Sequence, residues 1–316
     1  MRQITYKIER SDGAKSFVAA YSFPYQPGKT VLWGLITIKE TIDPTLAFTA
    51  SCRSAICGAC AVRVNGQALL ACETPLDAML ERFGDTLTIG PIQNFKVIRD
   101  IVVDWEAKTK HLTESKTWLI PKDEFNALQG CHQSAADFKQ INTQASCILC
   151  GSCASECAKL TASDQDFLEP FTYSKVWKLV ADTRDKSAPE RLKAILDKGL
   201  WKCMHCVECV TKCPKGLAPG EDIARLRRLS IKLGYTNSIG AGHAIAFRKD
   251  IEDTGRLNEI KLTLRSIGLL GSIAKFPLAL RLLRRGKLNP FHFPGKVKGH
   301  AQIQAILKAV RESDQK

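Results

Sequence analysis

The first hundred residues alternate between apolar and polar positions in short runs, which glycine, proline and asparagine separate. Residues 4–8, 31–38 and 61–64 follow this pattern, which is typical of strands, and one helix is predicted near VLWGLITIKETI. The pair Asn65-Gly66 predicts a hairpin turn, and the strand after it is expected to carry Cys72. The N-terminal part is therefore predicted to be a small β-rich domain.

After about residue 100 the pattern becomes helical. Three stretches combine helical spacing with good helix formers: FNALQGCHQSAADFKQ, APERLKAILDKGLWKC and PGEDIARLRRLSIKLGY. Pro219-Gly220 predicts a helix start, because the acidic pair Glu221 and Asp222 would then lie at the positive end of the helix dipole. Cysteine-rich loops separate these predicted helices.

From residue 237 onward the chain has no cysteine, and its most hydrophobic segment is SIGLLGSIAKFPLALRLLRRGK. Lys275 and Pro277 interrupt this segment, so neither half approaches the roughly 20 apolar residues that a membrane span requires. Two interpretations stay open. The segment is either an ordinary core helix or a helix that lies against a partner or on a membrane surface.

Charge and cysteine content narrow the class of protein. The 316 residues have a net charge of +14, of which residues 221–316 carry +11, so nucleic acid, anionic lipid and an acidic partner are all compatible with the charge. The chain has thirteen cysteines, and an odd number argues against a complete disulfide framework. The chain is also far larger than the small secreted proteins that depend on such frameworks. The N-terminus is predicted to be a strand rather than an export signal, so we expect reduced thiols.

The first cysteine-rich stretch is SCRSAICGACAVRVNGQALLAC, which contains Cys52, Cys57, Cys60 and Cys72. Cys-x4-Cys-x2-Cys with a distant fourth cysteine is the plant-type [2Fe–2S] spacing. A tight loop must point several thiolates at one small cluster, and Gly58 and Ala59 keep this loop free of bulky side chains. The alternatives are a zinc site and thiols without a metal.

Two later stretches repeat the motif Cys-x2-Cys-x2-Cys-x3-Cys, and a proline follows the second. The spacing is that of bacterial ferredoxins, in which the fourth cysteine of each run ligates the other cluster. We therefore expect a first [4Fe–4S] cluster on Cys147, Cys150, Cys153 and Cys213, and a second on Cys157, Cys203, Cys206 and Cys209. Zinc also binds Cys-x2-Cys pairs, but it needs neither a third cysteine in each loop nor the duplication.

The thirteenth cysteine, Cys131, lies outside these groups, and His132 follows it. We expect a free buried cysteine on a helix there rather than a catalytic pair. His205, between two predicted ligands, is expected to be a surface histidine rather than a group that tunes a cluster. The sequence has no glycine-rich phosphate loop and no Ser-His-Asp pattern, so we predict a protein that binds clusters and has no catalytic residues of its own.

These motifs resemble a known family. DPTLAFTASCRSAICGACAVRVNG, LLACET and the ferredoxin runs ending in CPKGLAPGEDI are similar to the iron–sulfur subunit of succinate dehydrogenases and fumarate reductases, over roughly residues 1–235. The resemblance implies an α+β fold. Its parts would be a β-grasp [2Fe–2S] ferredoxin domain over 1–108, an all-α ferredoxin domain with two [4Fe–4S] clusters over 109–236, and a basic helical extension for partner docking over 237–316.

Two departures from the family pattern indicate a subclass. Ordinary members have no cysteine at the position of Cys206 and hold a [3Fe–4S] cluster there, whereas this chain supplies the fourth thiolate of a [4Fe–4S] cluster. Ordinary members also have proline and a nearby tryptophan after the equivalent of Cys157, and histidine after that of Cys203, which help to form a quinone site. This chain has AKL at 158–160 and Met204 instead, which argues against the usual quinone pocket.

The tail supports the same subclass. HAIAFRKDIEDTGRLNEI and RLLRRGKLNPFHFPGKVKGHAQIQAILK are similar to the C-terminal part of the small two-cluster subunit of heterodisulfide reductases, which docks a partner with cysteine-rich CCG domains. The combination resembles a class of succinate dehydrogenase in which a CCG-domain subunit replaces the usual membrane anchor. The basic tail would then be a docking surface for that subunit or for anionic lipid.

The resemblance implies an electron-transfer subunit of the tricarboxylic acid cycle or of anaerobic respiration. It would relay electrons between a flavoprotein, whose FAD interconverts succinate and fumarate, and a CCG-domain or membrane-anchor subunit linked to quinone. Its partners would hold it at the cytoplasmic face of the inner membrane, or at the periplasmic face after export with a partner. The alternative is the iron–sulfur subunit of a heterodisulfide-reductase-like or glycolate-oxidase-like complex. Nucleic acid is not expected, because the tail has Phe291 and Phe293 but no recognisable binding module.

Overall fold

The computed structural model describes residues 2–124, 126–128, 130–163, 167–287 and 295–313, with only the backbone at 260, 269, 270 and 313. Phe291, Phe293 and the rest of 288–294 in the tail motif lie outside the described residues. Within the described ranges the strands are β1 (Gln3–Ser11), β2 (Ser16–Pro24), β3 (Ala61–Val64), β4 (Gln67–Leu70), β5 (Thr86–Gly90), β6 (Val97–Arg99) and β7 (Val102–Val103).

The helices of the N-terminal part are α1 (Val31–Thr41), α2 (Leu76–Phe83) and α3 (Glu106–Glu114). The middle part contains α4 (Ala135–Ala145), α5 (Ser152–Ser155), α6 (Ala158–Ala162), α7 (Pro170–Val180), α8 (Ala188–Leu196), a 3-10 turn (Leu200–Lys202), α9 (Glu208–Thr211) and α10 (Pro219–Lys232). The C-terminal part contains α11 (Ile239–Thr254), α12 (Glu259–Ala274), α13 (Phe276–Arg284) and α14 (His300–Ser313).

The first five strands form a mixed sheet in the order β2-β1-β5-β3-β4. Strand β1 pairs antiparallel with β2 and parallel with β5, and β3 pairs antiparallel with both β4 and β5. Alternate residues of β1, Ile4, Tyr6 and Ile8, are fully buried, as the period of two predicts. Helix α1 covers this face so closely that a Cβ on Gly34 would lie 2.5 Å from the Tyr6 ring.

Two local predictions in this part are confirmed and one is wrong. The helix near VLWGLITIKETI is α1, which begins after the N-cap Thr30. The hairpin is present, with Asn65 and Gly66 both at positive φ between β3 and β4. The strand after it does not reach Cys72, because the carbonyl of Leu70 accepts the N–H groups of Glu73 and Thr74 and turns the chain. Cys72 therefore lies in a turn.

The middle part is helical, as predicted, but one predicted helix is shorter than expected. Ser134 caps α4 by accepting the N–H of Asp137, so the helix begins only at Ala135. Cys131 consequently precedes the helix and is exposed, and the prediction of a buried cysteine on a helix was wrong. The predicted helix start at Pro219 is confirmed, with Glu221 and Asp222 in the first turn of α10.

Residues 1–226 form one compact unit, in which polar contacts join the sheet to the helical part. Asn94 donates to the carbonyl of Ala154 at 2.8 Å, and Arg63 pairs with Glu156 at 3.2 Å. The carboxylate of Glu169, immediately before α7, is fully buried and binds two side chains of α3. These contacts fix the helical part against the sheet that carries the first cysteine loop.

Residues 227–316 form a second compact unit. Helices α11 and α12 pack together, with Arg265 bound to Asp250 at 2.8 Å. Gly268 interrupts α12 with φ 70°, and from 263 to 287 no described side chain is buried. The core-helix interpretation of the hydrophobic segment is therefore wrong for α13. Within the described ranges, no helix has the length and apolar character to cross a bilayer.

Candidate iron–sulfur sites

The first cysteine loop surrounds its thiols with backbone N–H groups. The N–H groups of Ser54, Ile56 and Cys57 all donate to the sulfur of Cys52, at 3.3–3.4 Å. The N–H of Ala55 donates to the sulfur of Cys72 at 3.3 Å. Positive φ angles at Arg53, Ala55 and Gly58 allow the loop to aim these donors inward. The loop therefore has the form needed to hold a negatively charged group of sulfurs.

The pKa values within this loop differ for physical reasons. Hydrogen bonds from the N–H groups of Ser54, Cys57 and Ile56 lower the pKa of Cys52 to about 6. Burial instead raises the pKa of Cys60 to about 12. A buried thiol becomes a thiolate ligand only when a positive charge offsets its desolvation, and a bound metal supplies that charge. The thiols of this loop thus fit an iron–sulfur group.

The two ferredoxin runs follow the same backbone path. In each run, left-handed residues stand directly before and after the second cysteine: Leu149 and Gly151 in the first, His205 and Val207 in the second. A short helix follows at the same register, α5 with Cys153 and α9 with Cys209. The sequence repeat is therefore also a structural repeat.

The eight cysteines of these runs line two separate cavities. Cys147, Cys150 and Cys153 line the first together with Cys213, which comes from the other run. Cys203, Cys206 and Cys209 line the second together with Cys157 from the first run. Among the described residues, no three His, Cys, Asp or Glu side chains converge as a single metal ion would require. In each of the two cavities the four sulfurs instead surround an open volume.

Burial dominates the chemistry of these thiols. It raises the pKa of Cys150, Cys153 and Cys157, and raises that of Cys209 to about 12. Backbone N–H groups also reach several of these sulfurs, for example from Leu217 to Cys213 at 3.3 Å and from Lys159 and Leu160 to Cys157, but burial outweighs their effect on the pKa of Cys157. As in the first loop, a bound cationic group would stabilise the thiolates. Both cavities thus fit clusters held by sulfur.

The three groups of cysteines follow one another through the first compact unit. Gly58 packs on the second loop so tightly that a Cβ there would lie 2.9 Å from both Cα and Cβ of Cys150. Helices α5 and α9, which carry Cys153 and Cys209, also pack together. The loop of the first group therefore touches the second group, and the second group adjoins the third.

Of the other candidate residues, Cys131 and His132 lie outside these sites, whereas His205 lines the second cavity. Cys131 and His132 are both exposed and line neither cavity. The side chain of His205 is exposed, and its backbone N–H donates to the sulfur of Cys203 at 3.4 Å. The sequence interpretation missed Lys175, whose Nζ donates to the carbonyl of Cys147 at 3.0 Å. Its position on α7 gives no local signal, because the contact joins residues 28 positions apart in the chain.

Comparison with known proteins identifies the two cluster-binding regions. Residues 3–110 match the family model of a 2Fe-2S iron-sulfur cluster binding domain. Residues 143–217 match that of a 4Fe-4S dicluster domain. A 2Fe–2S domain is therefore followed by a 4Fe–4S domain, as the cysteine spacing predicted.

Similar whole proteins are also known. The chain is 44% identical to the iron-sulfur subunit of 8-methylmenaquinol:fumarate reductase from Wolinella succinogenes, over 96% of this chain and 97% of that protein. It is 33% identical to the mitochondrial succinate dehydrogenase [ubiquinone] iron-sulfur subunit of Dictyostelium discoideum, over 71% of this chain and 80% of that protein. A chain of the Mycobacterium smegmatis Sdh1 complex in the apo form has the same fold, with a TM-score of 0.65, 20% identity, and coverage of 74% of this chain and 98% of that one.

Proposed function

Because this chain belongs to the family of succinate dehydrogenase and fumarate reductase iron–sulfur subunits, which are electron-transfer subunits of oxidoreductase complexes, we propose that it connects two particular partners. One is a flavoprotein whose FAD interconverts succinate and fumarate. The other is a CCG-domain subunit on the membrane side, which passes electrons to or from a quinone. The tail motifs support the second partner, and the similarity to the Wolinella succinogenes subunit extends over the tail as well as the cysteine regions.

The observation that carries this proposal is the arrangement of the three cysteine groups. The middle group is the most enclosed, because none of its four cysteines is exposed, whereas each outer group has one exposed cysteine, Cys57 or Cys206. The two outer groups reach the surface, where Ile56 beside the first and Met204 and Val207 beside the third are exposed apolar side chains. The two outer cysteine groups, each bordered by exposed apolar side chains, suit docking of an electron donor on one and an acceptor on the other. The enclosed middle group is shielded from water.

We propose one [2Fe–2S] cluster on Cys52, Cys57, Cys60 and Cys72, and two [4Fe–4S] clusters on the sets that line the two cavities, Cys147, Cys150, Cys153, Cys213 and Cys157, Cys203, Cys206, Cys209. Each cluster would supply one-electron chemistry at its position. The residues of the chain hold the thiolates, donate N–H groups to the sulfurs and keep the three positions adjacent. No catalytic residue is assigned, since substrate chemistry belongs to the flavoprotein.

The three-part domain organisation completes the proposal. A β-grasp [2Fe–2S] domain would occupy 1–108, a two-cluster domain 109–236, and a helical docking extension 237–316. The matched regions at 3–110 and 143–217 support the first two. We place the protein peripherally at the cytoplasmic face of the inner membrane, attached through its partners. Export of the assembled complex would instead place it at the periplasmic face.

Redox titration of the intact complex, followed by EPR, tests the cluster content. We expect three distinct iron–sulfur signals on stepwise reduction and no [3Fe–4S] signal in the oxidised protein. Succinate should reduce the clusters only when the flavoprotein is present. Fewer than three signals would contradict the cluster assignment. Reduction by succinate without the flavoprotein would contradict the assignment of succinate chemistry to that partner.

A second candidate is the iron–sulfur subunit of a heterodisulfide-reductase-like or glycolate-oxidase-like complex, which the tail motifs also fit. The [2Fe–2S] domain favours the dicarboxylate family, because the alternative rests on the two-cluster part and the tail alone. Co-purification separates the two candidates. A partner flavoprotein with fumarate reductase activity supports the first, whereas a flavoprotein without it supports the second.

A further inference from the structure

The excess of positive charge in the C-terminal part is concentrated in one segment of the sequence. Residues 260–311 contain eleven Lys and Arg residues and no Asp or Glu. Three of the eleven have ion-pair partners within the second compact unit: Arg265 with Asp250, Arg311 with Glu252 and Lys308 with Glu312. Five of the others lie within or directly beside α13: Lys275, Arg281, Arg284, Arg285 and Lys287.

Helix α13 separates these charges from its apolar residues. Arg281, Arg284 and Arg285 are spaced by three and four positions, so they share one face of the helix. Phe276, Leu280 and Leu283 have the same spacing and lie on the other side. The result is a helix with one cationic and one broad apolar face.

The apolar face of α13 has no cover within the described residues of the second unit. On this face Phe276 is 64% exposed and Leu283 43%, and no residue of the helix is buried. Gly268, with φ 70°, ends the first half of α12, which packs on α11. A glycine adopts this conformation readily, so the chain can leave the packed helices at this point.

We propose that α13 and its flanking residues bind directly to the surface of an anionic phospholipid bilayer, with the helix in the plane of the interface. The apolar face would enter the boundary between headgroups and acyl chains, and the arginines would contact lipid phosphates. A helix of this kind needs a large separation of polar and apolar faces, Lys or Arg on one and Phe or Leu on the other. The segment meets these requirements and lacks the acidic residues that a negative surface would repel.

The same features count against other occupants. Proteins that bind single-stranded nucleic acid usually interleave basic residues with several aromatic stacking groups, whereas the apolar face of α13 has one aromatic residue, Phe276, and its other members are leucines. A protein partner would need an apolar groove for the leucine face and, beside it, an acidic surface that matches the five cations. Exposed apolar residues elsewhere in the same unit, Phe247 on α11 and Ile306 and Val310 on α14, remain for the proposed CCG-domain subunit. The lipid contact goes beyond the electron relay and does not depend on it.

Vesicle binding of the full-length, cluster-loaded chain tests the proposal without any redox partner. We expect it to sediment with vesicles of phosphatidylcholine mixed with phosphatidylglycerol, and not with pure phosphatidylcholine. Raising the salt from about 0.05 to about 0.5 M should weaken the binding, because screening shortens the reach of the charges. Phe276→Ser with Leu283→Ser, and separately Arg281→Gln with Arg284→Gln, should each weaken binding by at least about tenfold.

Two matched double variants control for apolar surface and for charge alone. Ile306→Ser with Val310→Ser removes an exposed apolar pair from α14, and Lys296→Gln with Lys298→Gln removes two exposed cations outside α13. Both should bind within about twofold of the unmodified chain, since neither alters the amphipathic helix. Far-UV circular dichroism checks that the helical second unit of every variant is folded, and the visible spectrum of the clusters checks the first unit.

Three results would overturn the proposal. The first is no binding to the anionic vesicles, and the second is an equal loss in the control variants. The third is unchanged vesicle binding by the α13 variants together with loss of co-purification or of self-association, which would assign the face to a protein. None of these results bears on the reduction of the clusters by succinate, so the electron relay is tested separately.

Discussion

The thiol of Cys206 is the most accessible of the four that line the second cavity: Cys157 and Cys209 are buried and Cys203 is partly buried. Cys206→Ala would leave three thiols around that cavity. We expect the variant to hold a [3Fe–4S] cluster, seen as a new EPR signal in the oxidised protein, with the other two clusters unchanged. Cys131→Ala is the control, because Cys131 is also exposed but lines neither cavity. An unchanged EPR spectrum of the Cys206 variant would refute the ligand assignment.

Asp222 is a fully buried carboxylate in the first turn of α10. Gln144 donates to it at 2.9 Å and Arg225 lies at 3.3 Å, yet burial outweighs both contacts and raises its pKa to about 6. A folded-state pKa above the unfolded value means that the folded state binds the proton more tightly. The carboxylate therefore costs stability above about pH 6, and the cost disappears as the pH falls toward 4.

Asp222→Asn should consequently stabilise the protein near neutral pH. From the shift in pKa we expect a gain of up to about 3 kcal/mol at pH 7.5, which shrinks toward zero near pH 4. Thermal unfolding of the cluster-loaded protein across this pH range measures it. Glu221→Gln is the matched control, since its carboxylate is 68% exposed one position earlier. A gain that is independent of pH would show that the charge of Asp222 is not its cause.

At the scale of elements, Glu169 connects α3 to the start of α7. Lys108 and His111 of α3 each approach its carboxylate at 3.0 Å. Burial alone would raise its pKa, but the hydrogen bond from His111 and the charge of Lys108 hold the pKa below the usual value. The stability that this carboxylate contributes is therefore present above about pH 4.5 and is lost as the pH falls through the folded-state pKa.

Glu169→Gln should destabilise the first compact unit, because Lys108 would keep its charge in a buried position. Removing one partner of a buried ion pair costs roughly 3–5 kcal/mol. Denaturant unfolding should show this loss at pH 7, and the difference from the unmodified protein should narrow below about pH 4. Glu114→Gln on the same helix α3 is the control, since its partly exposed pair with Lys198 should contribute less than about 1 kcal/mol. Equal effects of the two changes would contradict the importance of the buried site.

Elements whose signals are local could be predicted from the sequence. The hairpin at Asn65-Gly66 and the start of α10 at Pro219 depend on residues within one turn, and both are present. The exposure of Cys131 could not be predicted, because the helical pattern around it continues past the cap at Ser134. The sharing of cysteines between the two runs was expected from ferredoxin spacing, and each cavity is lined by three cysteines of one run and one of the other.

At the scale of the whole molecule, the loop around Cys57 and the loop around Cys150 meet at Gly58. Gly58→Ala would add a methyl group 2.9 Å from the backbone of Cys150, so the two loops must separate. We expect slower electron transfer between the first two clusters with all three clusters still bound, measured by rapid-freeze EPR after reduction. The expected direction is a lower rate, because the rate of electron transfer falls as the distance between two clusters grows.

A second glycine provides a matched control for this change. Gly66 has φ 79°, close to the 75° of Gly58, but a Cβ there would meet only the end of Arg63 at 4.0 Å. Gly66→Ala therefore imposes the same backbone strain without placing a methyl group against another loop. If both variants transfer electrons at the rate of the unmodified protein, or both are slowed alike, the contact with Cys150 does not set the rate.

The contact at Gly58 also restricts where extra residues can be inserted into the chain. Most surface loops accept insertions, because nothing lies above them. The loop from Cys52 to Cys60 has an exposed side at Ile56, yet its other side rests on a segment some 90 positions later in the chain. An extra residue there would disturb two cofactor sites at once. We therefore expect inserted residues to be tolerated at the β1–β2 turn near Gly13 and rejected between Cys57 and Cys60, although Ile56 and Cys57 directly beside that segment are exposed.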